Sequence, residues 1–177
     1  MINLQVRVKD FSLLNTNNIK FLGITLDNKL VWKTYGSELS IKLNKACYAI
    51  RAIKSFVSQK ALITVYYSYF HSLLKYGIIF WGNSPVNRDI FKIQKRAIRI
   101  ISGKSCHDYC RLLFKQLNVL TLTSQYIASL LEFVLENRNL FTTNRDTHGL
   151  TTCNCFDLHL PRVNLTRVQR GVLYSII

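Results

Sequence analysis

Arg88-Asp-Ile-Phe-Lys-Ile-Gln-Lys-Arg-Ala-Ile-Arg-Ile-Ile-Ser-Gly-Lys104 carries the clearest periodicity in the chain. At helical spacing Ile90, Ile93, Ala97 and Ile100 share one face, while Lys92, Lys95, Arg96 and Arg99 occupy the others. The pattern predicts a helix with an apolar edge for packing and basic flanks for an anionic partner. Asn87 is the expected N-cap, Asp89 falls in the first turn, where a carboxylate suits the helix dipole, and Gly103 marks the stop.

Two more helices precede it. Leu39, Leu43, Ala46, Ile50, Ile53 and Val57 form an amphipathic seam that predicts a helix from about Ser37, with Glu38 in its first turn, to Val57. Lys42, Lys45, Arg51 and Lys54 lie off that seam. A second helix follows Ser58, carries Leu62, Val65, Tyr66, Tyr69, Leu73 and Tyr76, and ends at Gly77. Three amphipathic helices with short connections predict a small bundle over 33–103.

Residues 1–32 read as a β-hairpin. Leu4, Val6 and Val8 alternate with polar residues, Asn15–Asn18 makes the turn, and Ile19–Leu26 returns as the second strand, broken at Asp27-Asn28. Gly23 within that strand predicts a bulge or a close approach to the backbone. From 104 to 177 the pattern weakens to a short helix within Cys106–Leu117, a better one over Thr121–Asn137, and a polar tract that ends apolar, as if cut in mid-element. The expected fold is mainly α: an N-terminal β-hairpin, a three-helix bundle and a helical, partly irregular C-terminal segment.

Charge narrows the partner. The 177 residues carry a formal net charge of +15, and 49% are apolar, enough to build a core. From Lys29 to Lys115 there are 16 Lys/Arg against Glu38, Asp89 and Asp108, a local net of +13, while the flanks are nearly neutral. Positive charge concentrated in this way suits a phosphate backbone better than a generally solvated surface. Five cysteines without a charged-then-apolar leader argue against a secreted disulfide scaffold and for an intracellular setting, cytoplasmic or nuclear. Ala61–Trp81 is long and apolar, but His71, Lys75 and its serines argue against a membrane span, so no membrane partner is expected.

The residues show no obvious reaction centre. Metal-dependent nucleotidyl transfer needs clustered carboxylates, yet Asp10, Asp27, Glu38, Asp89, Asp108, Asp146 and Asp157 are scattered, and only Glu132 and Glu136 share a helical face. Adjacent side chains diverge, so Cys106-His107-Asp108 reads as a loop cluster and not a triad. His148, Cys153, Cys155 and His159 lack the paired spacing of structural zinc, and small buried cysteines are the expected reading. Tyr66, Tyr67, Tyr69, Phe70, Tyr76, Phe80 and Trp81 could stack bases, but at helical spacing beside Leu and Ile they read as core. No metal or cofactor is expected in this chain.

Several blocks resemble a known family. Ile19-Lys-Phe-Leu-Gly-Ile24, Leu26-Asp27 and Leu30-Val-Trp32 resemble the block that follows the catalytic palm motifs of non-LTR retrotransposon reverse transcriptases, notably insect Jockey-like elements. Tyr76-Gly-Ile-Ile-Phe-Trp-Gly82 is similar to that family's YG…WG signature, and Ile90–Ile101 to its Q-K-R-A-[IL]-R helix. Leu120-Thr-Leu122 and His148–Thr152 follow in the family's order, although Cys153 stands where the family has Arg.

The resemblance implies that Phe21, Leu22 and Gly23 form a primer-grip turn and that the three helices form a thumb. Lys42, Lys45, Lys92, Lys95, Arg96 and Arg99 would then meet the phosphates of an RNA–DNA or DNA duplex. The family's catalytic aspartates belong upstream and are not in this sequence, so the chain would not polymerise alone; Mg²⁺ is expected only with the palm and fingers that complete the enzyme. The alternative is a decayed transposon relic or a helical protein-interaction module.

Overall fold

Two antiparallel hairpins open the chain: β1 (Val6–Val8) pairs with β2 (Phe11–Leu13), and β3 (Asn18–Phe21) pairs with β4 (Ile24–Asp27). The computed structural model describes residues 6–8, 11–13, 16–149, 151–160, 162–169, 171, 172 and 174. The expected hairpin joined the N-terminal run to a single strand over Ile19–Leu26 with Gly23 as a bulge. Instead, Phe21 faces Ile24 across a two-residue turn, with Leu22 at φ 47° and Gly23 at φ 80°. Two consecutive left-handed residues twist with the flanking strands, which is why the chain reverses here. Leu4, Asn15 and the last residues of the terminal apolar run lie outside the described residues.

Asp27 ends β4 and organises the entry to the bundle. Its carboxylate accepts hydrogen bonds from the backbone N–H groups of Lys29, Val31 and Trp32 at 3.1, 2.9 and 2.7 Å. Helix α1 (Lys33–Ile53) therefore starts four residues before Ser37, and Tyr35 and Gly36 extend its buried face.

After Ser58, whose hydroxyl caps Ala61 N–H, three segments run on from one another: α2 (Gln59–Val65), a π-helical turn (Tyr66–His71) and α3 (Ser72–Lys75). The expected seam through Tyr69, Leu73 and Tyr76 assumed about 3.6 residues per turn. The π turn is wider, so the buried positions are Leu62, Tyr66, Phe70 and Leu74, and Tyr69 and Tyr76 face solvent.

Gly77 then reverses the chain into α4 (Ile78–Trp81), and α5 (Asn87–Ser102) follows. Val86 takes the N-cap position of α5. The Asn87 side-chain amide turns back to donate to the Gly82 carbonyl, which makes Asn87 a brace for the α4–α5 corner and not the expected cap. Gly103 closes the helix in the left-handed conformation, as its position predicts. Helices α6 (Cys110–Gln116) and α7 (Leu122–Glu136) follow, the latter capped by Thr121. Short helical pieces at Arg138–Leu140, Asn144–His148 (α8) and Thr166–Gln169 (α9) punctuate the C-terminal tract.

The apolar core is continuous from Ile24 to Leu130, so α6 and α7 share it with the three-helix bundle instead of forming a separate unit. At its centre lies Gln94, fully buried. Its amide N–H₂ donates to the Tyr66 hydroxyl and the Leu120 carbonyl, both at 3.0 Å, and its oxygen accepts from Leu122 N–H at 2.9 Å. One polar side chain thus pins the start of α7 to the bundle, with its hydrogen-bonding groups engaged. No helix among the described residues is long and apolar enough to cross a membrane.

Candidate nucleic-acid interface

The Phe21-Leu22-Gly23 turn projects from the bundle with Phe21 and Leu22 exposed. The Tyr76 hydroxyl reaches across from the end of α3 and donates to the Leu22 carbonyl. The Tyr76 carbonyl in turn accepts from Trp81 Nε1 at 3.2 Å and from the Tyr35 hydroxyl at 3.5 Å. Burial pushes the Tyr35 phenol up to about 12, with the Tyr76 and Glu38 charges adding to the shift, so it remains a donor at ordinary pH.

Gly77 completes this seat. At φ 61° it needs left-handed backbone, and a Cβ there would lie 2.6 Å from Ile24 Cδ1. At Gly82 a Cβ would lie 2.3 Å from the Tyr126 ring. The Tyr76–Gly82 stretch therefore works as a socket: its tyrosine holds the turn, one glycine admits β4, and the other admits α7.

Beside the turn is a hollow of about 340 Å³ bordered by Leu22, Gly23, Lys42, Ser72 and Tyr76. Lys42 and Lys45 both lie on the solvent-facing side of α1. Lys42 therefore supplies a cation to the same opening that exposes the Gly23 backbone, an arrangement suited to the sugar–phosphate chain of a nucleic acid.

The other four expected contacts lie apart from this opening. Lys92 Nζ is 2.8 Å from Asp89 Oδ1, an exposed pair whose hydrogen bond and charge hold the Asp89 carboxyl below its usual range. Lys95 Nζ sits 4.3 Å above the centre of the Phe91 ring. Arg96 donates to the Asn44 side-chain oxygen and ties α5 to α1. Arg99, half-buried, donates from Nε and Nη2 to the Asp108 carbonyl at 3.1 and 3.0 Å. Periodicity marked these arginines as free surface cations; both are tied to neighbouring segments. Arg96 therefore faces α1, whereas Lys95 and Arg99 face α6, so these three cations of α5 divide between two of its flanks.

The remaining candidates resolve individually. Cys106, His107 and Asp108 lie in the loop before α6, where Asp108 Oδ2 accepts from Ser105 N–H at 2.6 Å. His148 and His159 pack edge to face at 5.0 Å, while Cys153 is exposed and Cys155 buried. No group of three metal-ligating side chains converges among the described residues. Glu132 pairs with Lys75 at 3.4 Å across α7 and α3. Of the seven aromatics flagged by spacing, Tyr66, Phe70 and Trp81 are core, and Tyr67, Tyr69, Tyr76 and Phe80 are exposed.

The role of Tyr76 in seating the turn, and that of Gln94 in the core, were missed by sequence reasoning. Tyr76 lay on an assumed helical seam, and its long-range bond has no local signature. Gln94 was legible in principle, as a polar residue one position from Ile93 on the apolar face. Comparisons with protein-family models, curated proteins and solved structures return no match.

Proposed function

We propose that this chain holds primer–template nucleic acid, an RNA–DNA or DNA duplex, as the primer-grip and thumb part of a Jockey-like non-LTR reverse transcriptase. The observation that supports this reading is the shared opening between the Leu22–Gly23 turn and Lys42. Gly23, which carries no side chain, lets a strand come close to the backbone, and the lysine beside it meets the phosphate that follows. Lys45 and the outer cations of α5 extend the positive field along the bundle. The role proposed for these residues is the grip on the duplex; the family's palm and fingers, which carry its paired aspartates, would supply the Mg²⁺-dependent chemistry.

The test is a salt titration of a labelled RNA–DNA duplex by fluorescence anisotropy. Log affinity should fall steeply with log salt, by roughly 0.9 for each phosphate neutralised on B-form DNA and somewhat differently on a hybrid. An affinity indifferent to salt would sink the proposal.

One observation favours a second reading, a protein-interaction module. An apolar groove of about 590 Å³ runs between the second hairpin, the α3–α4 corner and α7, with Phe21, Ile24, Leu26, Ile79 and Phe133 on its walls. Such a surface suits an apolar protein partner, including the palm and fingers of the same polymerase. A folded chain that binds no duplex at low salt would favour this reading over the first.

A further inference from the structure

We infer a second binding site, for a nucleotide phosphate, on the α6 flank of α5. It goes beyond the duplex grip and does not depend on it. A hollow of about 350 Å³ opens between α5, α6 and the 104–109 loop, within the size range of small-ligand sites. Lys95 and Arg99 from α5, His107 from the loop and Arg111 from α6 border it, with Asp108 the one carboxylate among them.

The geometry of these groups favours an anion. The Asp108 carboxylate is turned onto Ser105 N–H. The Arg99 fork is held on the Asp108 carbonyl, so its remaining N–H groups keep a fixed position without a carboxylate to neutralise them. Lys95 is steadied over the Phe91 ring, and Arg111 is exposed at the rim. A phosphate entering here meets charge-assisted donors from three sides.

An aromatic surface supplies the second half of the site. Lys95 covers one face of Phe91, but Tyr109 at the mouth is 71% exposed and offers a ring on which a base can stack. The ligand class is therefore a phosphate monoester carrying a nucleobase. Its source is either a free nucleotide or the phosphorylated end of a single strand.

Calorimetric titration of the full chain at low salt with adenosine 5′-monophosphate, inorganic phosphate and adenosine tests the assignment. The monophosphate should bind at one saturable site, about tenfold tighter than inorganic phosphate because of stacking, and adenosine should bind more weakly than the monophosphate. Arg111→Gln should weaken it about tenfold by removing a charged donor. Tyr109→Ala should reduce it to the level of inorganic phosphate, and Tyr109→Phe should restore it. Both positions are exposed, and circular dichroism checks that each variant remains folded.

Displacement of the monophosphate by a 5′-phosphorylated oligonucleotide, but not by its 5′-hydroxyl counterpart, would assign the site to a strand end. Binding without such displacement would assign it to a free nucleotide. No saturable binding, or binding indifferent to both Arg111→Gln and Tyr109→Ala, would overturn the site. An unaltered chain that binds duplex but no nucleotide refutes this site alone, and one that binds nucleotide but no duplex refutes the duplex grip alone.

Discussion

The Tyr76 hydroxyl donates to the Leu22 carbonyl, so the tip of the second hairpin is fastened to the end of the second bundle helix by one long-range bond. Tyr76→Phe removes that donor and leaves the ring in place. Stability should fall by about 1 kcal/mol, and the amides of residues 20–25 should exchange with solvent faster. Hydrogen exchange read by mass spectrometry checks this, and unchanged protection of the tip would refute the fastening role.

Leu22 itself is strained. It holds φ 47°, a conformation that costs a branched L-residue about 1–2 kcal/mol, although its side chain is largely exposed. Asn-Gly is the preferred pair for this turn, so Leu22→Asn should raise stability by about 1 kcal/mol. A urea melt that moves to lower denaturant would show that Leu22 makes contacts outweighing its backbone cost.

Gln94 joins Tyr66, Leu120 and Leu122 inside the core. Gln94→Leu keeps the volume but strands the Leu122 N–H and the Leu120 carbonyl away from water. Each abandoned buried group costs about 1–3 kcal/mol, so the expected loss is about 3 kcal/mol or more. Equilibrium denaturation measures it, and a loss under 1 kcal/mol would mean that the start of α7 finds other partners.

His71 Nε2 donates a hydrogen bond to Gln125 Oε1 at 3.1 Å. Burial, with Lys75 acting in the same direction and the Gln125 bond opposing, holds its pKa below the ordinary imidazole value of 6.5. The folded state therefore binds its proton less readily than the unfolded state. This contribution is fully present above about pH 6.5 and is lost as pH falls through the lower, folded value. Thermal melts should drop on acidification across that window, and His71→Gln should flatten the drop. An equal drop in the variant would place the acid sensitivity elsewhere.

Lys42 and Lys45 face solvent on α1, so exchanging both for Gln should leave the melting temperature within a degree or two. If each neutralises one phosphate, the salt slope of duplex binding should fall by about 1.8. An unchanged slope in the double variant would remove α1 from the interface.

The helices were largely legible because apolar spacing fixes a face once the number of residues per turn is known. Ser58, Gly103 and Thr121 signalled ends that the structure keeps. The hairpin was harder to read: Gly23 announced an unusual backbone, but Leu22 in a left-handed conformation runs against its own preference and hid the turn. Basic residues were easy to count and hard to assign. Arg96 and Arg99 read as solvent-facing cations, yet Asn44 and the Asp108 carbonyl lie within their reach only after the chain has folded. Replacing both to test binding would therefore also loosen the bundle.

The π-helical turn at Tyr66–His71 bears on which changes of length the chain tolerates. Its buried residues recur every fourth position, which means that the stretch contains one residue more than an α-helix needs to present the same face. Deleting exposed Ser68 would convert it to regular helix while Leu62, Tyr66, Phe70 and Leu74 still point inward. The same deletion in α1 or α5 would swing half of a helix by about 100° and expose its apolar side. The second helix thus holds a spare residue that the rest of the bundle lacks.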